Sequence, residues 1–316
     1  MKILILGAGG IGGYFGGRLA EAAAADVTFL VRAKRREQIA RDGLVIDSPL
    51  GNAKVEAKTV VAGELKPGYD AVIFTCKAYD LDSAMDAIAP AMDGGCVVVP
   101  QLNGIAHLEK LDARFGKPQV MGGVAQINVT LRTDGVVAHM DKLARIVFGE
   151  RDRKPSARAQ ALADAFATTR VDCKLSPDIE QEMWEKVVFL AALAATTCLF
   201  RGNVGEIMAA PGGKEAMESV LAANVAIATA EGFAPRAAAI EFARNRLTDR
   251  EGTWSASMMR DLEAGGKVEG DHIVGWMLER ARRHGADDTI LSLAYTHLKA
   301  YEARRDAGRL PKAGSA

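Results

Sequence analysis

The chain has 316 residues, enough for two domains with separate cores. Its 40 basic and 40 acidic side chains cancel. That balance excludes binding to nucleic acid or anionic membrane through a broad electrostatic field and leaves room only for local basic sites. Apolar content of 49% and charged content of 25% are those of an ordinary globular protein.

The first residues, MKILILGAGG, hold an apolar run that ends in glycines after about five residues, too short for a secretory signal or a membrane span. The run 187–200 is also shorter than the roughly 20 residues a span needs, and it contains Thr196 and Thr197. Cys76, Cys96, Cys173 and Cys198 are scattered, with no C-x-x-C pair. They read as small core residues of a cytoplasmic protein, not as disulfides or a zinc site. His107, His139, His272, His284 and His297 show no metal-ligand spacing, so no metal is expected.

The elements of the first half alternate. Strands are predicted at 3–6, 26–31, 71–75 and 96–99, with helices at 11–24, 33–41 and 83–92. Such alternation implies βαβ units and a parallel sheet. The stretch 120–148 is strand-rich and turns at Asp134-Gly135. From Ser176-Pro177, which reads as an N-cap followed by proline at the first helical position, the pattern becomes helical. Helices are predicted at 178–199, 214–231, 235–247, 257–264, 270–284 and 287–305. Residues 309–316 read as a frayed tail. The expected fold class is α/β, an N-terminal Rossmann domain (1–176) followed by an all-helical domain (177–316).

The segment G-A-G-G-I-G places Gly7, Gly9, Gly10, Ile11 and Gly12 directly after the first strand and at the start of a helix. The first glycine allows a tight turn, the second lets the backbone approach a pyrophosphate, and the third lets helix pack on strand. At the end of the second strand an acid would hold the ribose hydroxyls of NAD, whereas a base accommodates the extra phosphate of NADP. This chain has Arg32-Ala33-Lys34-Arg35-Arg36 there. Arginine pairs a phosphate through two parallel hydrogen bonds, and cations at a helix start are poorly placed without an anion. NADP is therefore the expected cofactor. Ligands of open parallel sheets sit outside the carboxyl ends of the strands. Lys77 follows one strand and Asn103, in L-N-G, follows the next, so both are expected to line that crevice.

These pieces together resemble the ketopantoate reductase (2-dehydropantoate 2-reductase) family. The resemblance rests on G-A-G-G-I-G, Arg32, C-K-A-Y with Lys77, L-N-G with Asn103, and D-G-V-V-A-H leading to I-V-F-G. It continues with W-E-K-V at Lys186, S-M at Ser257 and V-E-G-D-H-I-V-G at Glu269. It implies a Rossmann domain joined to a helical domain, with NADPH reducing a 2-oxo acid to a 2-hydroxy acid, as in the ketopantoate step of pantothenate biosynthesis. It further implies that Lys186 is the general acid and that Glu269 binds the substrate hydroxyl. Asn103 would contact lysine and substrate or cofactor, and Ser257 would help hold the carboxylate. The chemistry is consistent, because hydride addition leaves an oxyanion that needs a proton and a nearby positive charge. Read from the residues alone, Lys186 is also compatible with an exposed lysine paired to Glu182 one turn earlier.

The pattern departs from family members that make pantoate. Their polar residues four and eight positions after the lysine are here Leu190 and Ala194, and an asparagine before G-E-[IL] is here Val204, with Asn203 beside it. Either the substrate is a more apolar 2-oxo or hydroxy acid, or Thr196, Asn203 and Asn224 supply the polar groups. A third reading is an NADPH-binding sensor without turnover. A homodimer is expected, with a small 2-oxo acid as the only other partner.

Overall fold

The structure is a computed structural model that describes residues 1–310; residues 311–316 of the predicted frayed tail lie outside the described residues. Two compact units result: Met1–Leu102 with His107–Glu180, and Asn103–Ala106 with Gln181–Ala316.

The first unit runs β1 Lys2–Leu6, α1 Gly10–Glu21, β2 Asp26–Leu30, α2 Ala33–Asp42, β3 Leu44–Asp47, β4 Ala53–Val55, β5 Lys58–Val60, β6 Ala71–Phe74 and α3 Leu81–Ile88. It continues with β7 Val97–Pro100, α4 His107–Phe115, β8 Gly122–Leu131, β9 Val137–Gly149, α5 Ala157–Ala167 and β10 Asp172–Leu175. One parallel sheet has the order β5-β2-β1-β6-β7. This corresponds to the first five positions of the Rossmann order 3-2-1-4-5-6. β1 lies between β2 and β6, with Ile3 opposite both Val27 and Ala71. Ile3, Leu4, Ile5 and Leu6 are all buried, as expected for a strand covered on both faces.

A second sheet, β10-β9-β3-β4 with β8 paired to β9, packs over α1. Tyr14, Phe15 and Leu19 of α1 share a core with Leu44, Ile46, Val137, Ile146 and Phe148. The β8–β9 turn forms at the expected Asp134-Gly135: Arg132 N–H donates to the Val136 carbonyl (2.9 Å), and the Asp134 carboxylate accepts from Val136 N (3.0 Å). The short elements β3, β4, β5, α4, α5 and β10 were not anticipated from the sequence.

The second unit is helical: α6 Ile179–Phe200, α7 Val204–Ala209, α8 Gly213–Ala230, α9 Ala237–Leu247, α10 Ser257–Glu263, α11 Trp276–His284 and α12 Thr289–Asp306. The first two residues of α6 group with the first unit. Two expectations need correction. Pro177 precedes α6 instead of opening it, and the Ser176 hydroxyl accepts from Asp178 N (3.2 Å) in a turn before the helix. The helix expected over 270–284 begins as a single π-helical stretch, Asp271–Gly275, and becomes α-helical only at Trp276.

α6 is longer than its apolar run and, at 22 residues, is long and apolar enough to cross a membrane by length and composition. Length therefore does not decide its character, but burial does. It is apolar on nearly every side, and 67% of its most apolar window is buried inside the protein, which makes it a core helix. The Thr196 and Thr197 hydroxyls donate to the Ala192 and Leu193 carbonyls one turn back, which lets both sit fully buried (2.8 and 2.6 Å).

Candidate active site

The glycine loop has the local geometry its sequence implies. Gly7 takes φ +85°, a conformation open to glycine, and its N–H donates to the Leu30 carbonyl of β2 (2.9 Å). A Cβ at Gly12 would overlap the Gly7 carbonyl oxygen and lie 2.5 Å from the Thr75 hydroxyl, so only glycine allows α1 this close to β1 and β6. Gly9 is the N-cap of α1, without a capping side chain, and nothing lies within 4 Å of where its Cβ would point. The first turn of α1 carries no acid. Open space, exposed N–H groups and the positive end of a helix fit a pyrophosphate. Gly10 and Ile11 form the first turn of α1, with Gly10 packed under the Val129 carbonyl of β8.

The loop is buttressed by side chains that the sequence did not single out. The Thr75 hydroxyl donates to the Leu6 carbonyl (2.6 Å), and Arg35 Nε donates to the Ala8 carbonyl (3.1 Å). Arg35 also reaches the Gly135 carbonyl at the β8–β9 turn (2.9 Å), tying that turn to the loop. Arg32, the N-cap of α2, is 84% exposed at its side chain and pairs with Asp80 at 3.0 Å. Lys77 is half-buried just past the end of β6.

The second constellation lies in the helical unit. Lys186 Nζ, on α6, donates to Asn103 Oδ1 (3.0 Å). Asn103 leaves β7 and belongs with the helical unit through Asn103–Ala106. Lys186 is half-buried as a residue, but desolvation around its ammonium pushes its pKa down to about 8. The Glu269 carboxylate, 6% exposed, acts in the opposite sense and raises it. The three expected residues Lys186, Asn103 and Glu269 thus come together. The glycine after Asn103 is required twice over. Gly104 has φ +81°, and a Cβ there would sit 2.9 Å from His272 Cδ2. His272, on the π-helical stretch that follows Glu269, is a neighbour to which the sequence reading gave no role at the site.

The remaining expected residues are more distributed. Ser257 is the first residue of α10, and the preceding Ala256 N–H donates to the Thr197 hydroxyl of α6 (3.4 Å), about three turns beyond Lys186. Asn203 forms a capping box at the start of α7: its Oδ1 accepts from Glu206 N (2.9 Å), while Asn203 N donates to the Glu206 carboxylate (2.7 Å). Thr196 and Asn224 have no exposed surface, and Asn224 Nδ2 donates to the Val188 carbonyl of α6 (3.1 Å). Of the three apolar replacements, Ala194 and Val204 are buried and Leu190 is half-buried. Burial pushes the thiols of Cys96, Cys173 and Cys198 up to about 12, which removes them as nucleophiles. Among the described residues no group of three or more His, Cys, Asp or Glu could hold a metal ion.

Known proteins resemble this chain along nearly its whole length. The family model described as "Ketopantoate reductase PanE/ApbA" matches residues 3–153, and "Ketopantoate reductase PanE/ApbA C terminal" matches residues 178–302. The "Uncharacterized oxidoreductase YkpB" of Bacillus subtilis (strain 168) is 37% identical over 96% of this chain and 100% of its own length. The 2-dehydropantoate 2-reductase of Halobacterium salinarum is 27% identical over 90% of this chain and 93% of its own. Among solved structures, 2-dehydropantoate 2-reductase from Geobacter metallireducens superimposes with a TM-score of 0.86 at 27% identity, covering 95% of this chain and 99% of that one. With both family domains matched in order, the chain belongs to the ketopantoate reductase family of oxidoreductases.

Proposed function

We propose that the chain is an NADPH-dependent 2-oxo acid reductase, with residues 1–176 holding the cofactor and residues 177–316 carrying the groups that act on the substrate. The observation that carries this reading is Lys186, desolvated to a pKa of about 8, held on Asn103 and facing the field of Glu269. When bound, the nicotinamide supplies the hydride that reaches the keto carbon. Lys186 gives a proton to the carbonyl oxygen as its negative charge develops, and it regains that proton from water afterwards. Asn103 holds the lysine through its Oδ1, which directs its Nδ2 elsewhere as a donor. Glu269 keeps the lysine protonated near neutral pH and accepts a hydrogen bond from the substrate hydroxyl. Ser257 contributes to the carboxylate site, and Asn203, whose oxygen is used in capping, offers only its Nδ2.

Gly7, Gly9, Gly10, Ile11 and Gly12 would cradle the pyrophosphate, Arg32 would hold the 2′-phosphate, and Lys77 would line the cofactor crevice past the end of β6. The enzyme would work in the cytoplasm, as a homodimer. The test is oxidation of NADPH with a panel of 2-oxo acids, ketopantoate among them. Lys186→Ala should lower kcat by at least about a hundredfold and leave NADPH affinity nearly intact. Ordinary turnover in that variant, or cofactor binding without oxidation of any substrate, would overturn the reading, the latter in favour of a sensor.

A second reading concerns the substrate. Leu190 lies one turn from Lys186 on the same face of α6, and Thr196 and Asn224 are fully buried, with the Thr196 hydroxyl and the Asn224 Nδ2 bonded to helix carbonyls. This favours a 2-oxo acid more apolar than ketopantoate. In the same panel, a higher kcat/KM for a branched or aromatic 2-oxo acid than for ketopantoate supports it.

A further inference from the structure

β2 and β6 flank β1 on its two sides, so the segments leaving them flank the glycine loop. Parallel neighbours are about 4.8 Å apart, which puts β2 and β6 roughly 10 Å from each other. Arg32, two residues beyond β2, and Asp80, six residues beyond β6, meet across that gap at 3.0 Å. Their ion pair therefore runs over the carboxyl end of β1, where the glycine loop begins.

The two partners are held differently. Arg32 is 84% exposed and uses only Nη2 toward Asp80, so the rest of its guanidinium fork faces solvent. Asp80 is fixed at both backbone ends: its N–H donates to the Lys77 carbonyl (2.9 Å), and its carbonyl accepts from the Ser83 hydroxyl (2.9 Å). The arginine can swing to a new anion, whereas the tethered backbone keeps Asp80 beside it.

We infer that Asp80 sets the choice between a 2′-phosphorylated and an unphosphorylated nicotinamide dinucleotide. This rests on the reading of Arg32 as the 2′-phosphate group. A 2′-phosphate seated on Arg32 takes the arginine from Asp80 and leaves an uncompensated carboxylate near a phosphate that is mostly dianionic at neutral pH. A 2′-hydroxyl leaves the ion pair intact and donates a hydrogen bond to the carboxylate, as acids at ribose sites accept. Asp80 thus works against the preference that Arg32 creates, and the chain uses both cofactors with a compressed difference in affinity.

The experiment is titration of NADPH and NADH at 0.15 M ionic strength, read by the fluorescence of the bound nicotinamide, with the wild type, Asp80→Asn and Arg32→Gln. Melting curves confirm that each variant is folded, and Asp80→Ser repeats the test with a different side chain. The readout is the ratio of NADPH affinity to NADH affinity. Asp80→Asn and Asp80→Ser should each raise it by about two- to fivefold, the scale of one exposed ion pair. Arg32→Gln should lower it by a similar factor or more. A ratio that stays within about twofold of wild type in both Asp80 variants overturns the role of Asp80 while leaving Arg32 in place. A ratio unmoved in Arg32→Gln overturns the 2′-phosphate reading itself, and the role of Asp80 with it.

Discussion

Lys186 carries two opposing influences, and their balance can be measured. Desolvation lowers its pKa to about 8 and Glu269 pulls it up. The proposed reduction needs the ammonium form. The rate of the chemical step should therefore be flat below about pH 8 and fall about tenfold per unit above it, while hydroxy acid oxidation shows the opposite dependence. Glu269→Gln removes the influence that raises the pKa, so the break should move to lower pH. A break that stays put or moves upward in the pH–rate profile would contradict the proposed pairing. The same group predicts a stability effect. The folded lysine releases its proton at about 8 and the unfolded one at about 10.4. In that window the unfolded chain binds more protons, so stability rises with pH. In Lys186→Met the rise should flatten, as read by denaturant melts between pH 7 and 10. Asp80 and His272 had no signal in the sequence, because their partners lie in distant segments: Asp80 meets Arg32, and His272 packs on Gly104.

Among the elements, α6 was legible as a long helix because its apolar run has no breaker, and the glycines at 232, 265 and 285 end helices at positive φ, while Gly212 stands at the start of α8. Unlike the equally short β6 and β7, which are apolar throughout, the strands β3, β4, β5 and β10 were not legible, since each is short and only partly buried. Their pairing is also distant: Ile46 of β3 lies opposite Val137 of β9. The π-helical stretch 271–275 keeps a helical apolar period, so composition could not separate it from α11. Such stretches often stand at functional sites, and this one follows Glu269 and carries His272. At α7, loss of the capping box in Asn203→Ala should cost about 1 kcal/mol in a urea melt. On α6, Leu190→Asn should lower kcat/KM for an apolar 2-oxo acid about tenfold relative to ketopantoate. An equal effect on both substrates would remove Leu190 as a determinant of specificity.

At the scale of the whole molecule, the order β5-β2-β1-β6-β7 and the run of helices after α6 account for the α/β class and for the all-helical second half. The sequence reading divides the chain at residue 176 from a change of period, whereas the compact units part after Glu180. The return of Asn103–Ala106 to the helical unit was not legible, because four residues carry no period of their own. That excursion bears on how such a chain can be cut and recombined. A fragment beginning at residue 177 would lack the acceptor of its own lysine, and one ending at 176 would carry four residues whose packing partners are gone. Exchange of halves between relatives should preserve activity only when 103–106 travels with the C-terminal half, as a short graft inside the N-terminal one. In heredity terms, the lysine and its asparagine form a single unit encoded in two places, and a crossover between them separates a working pair.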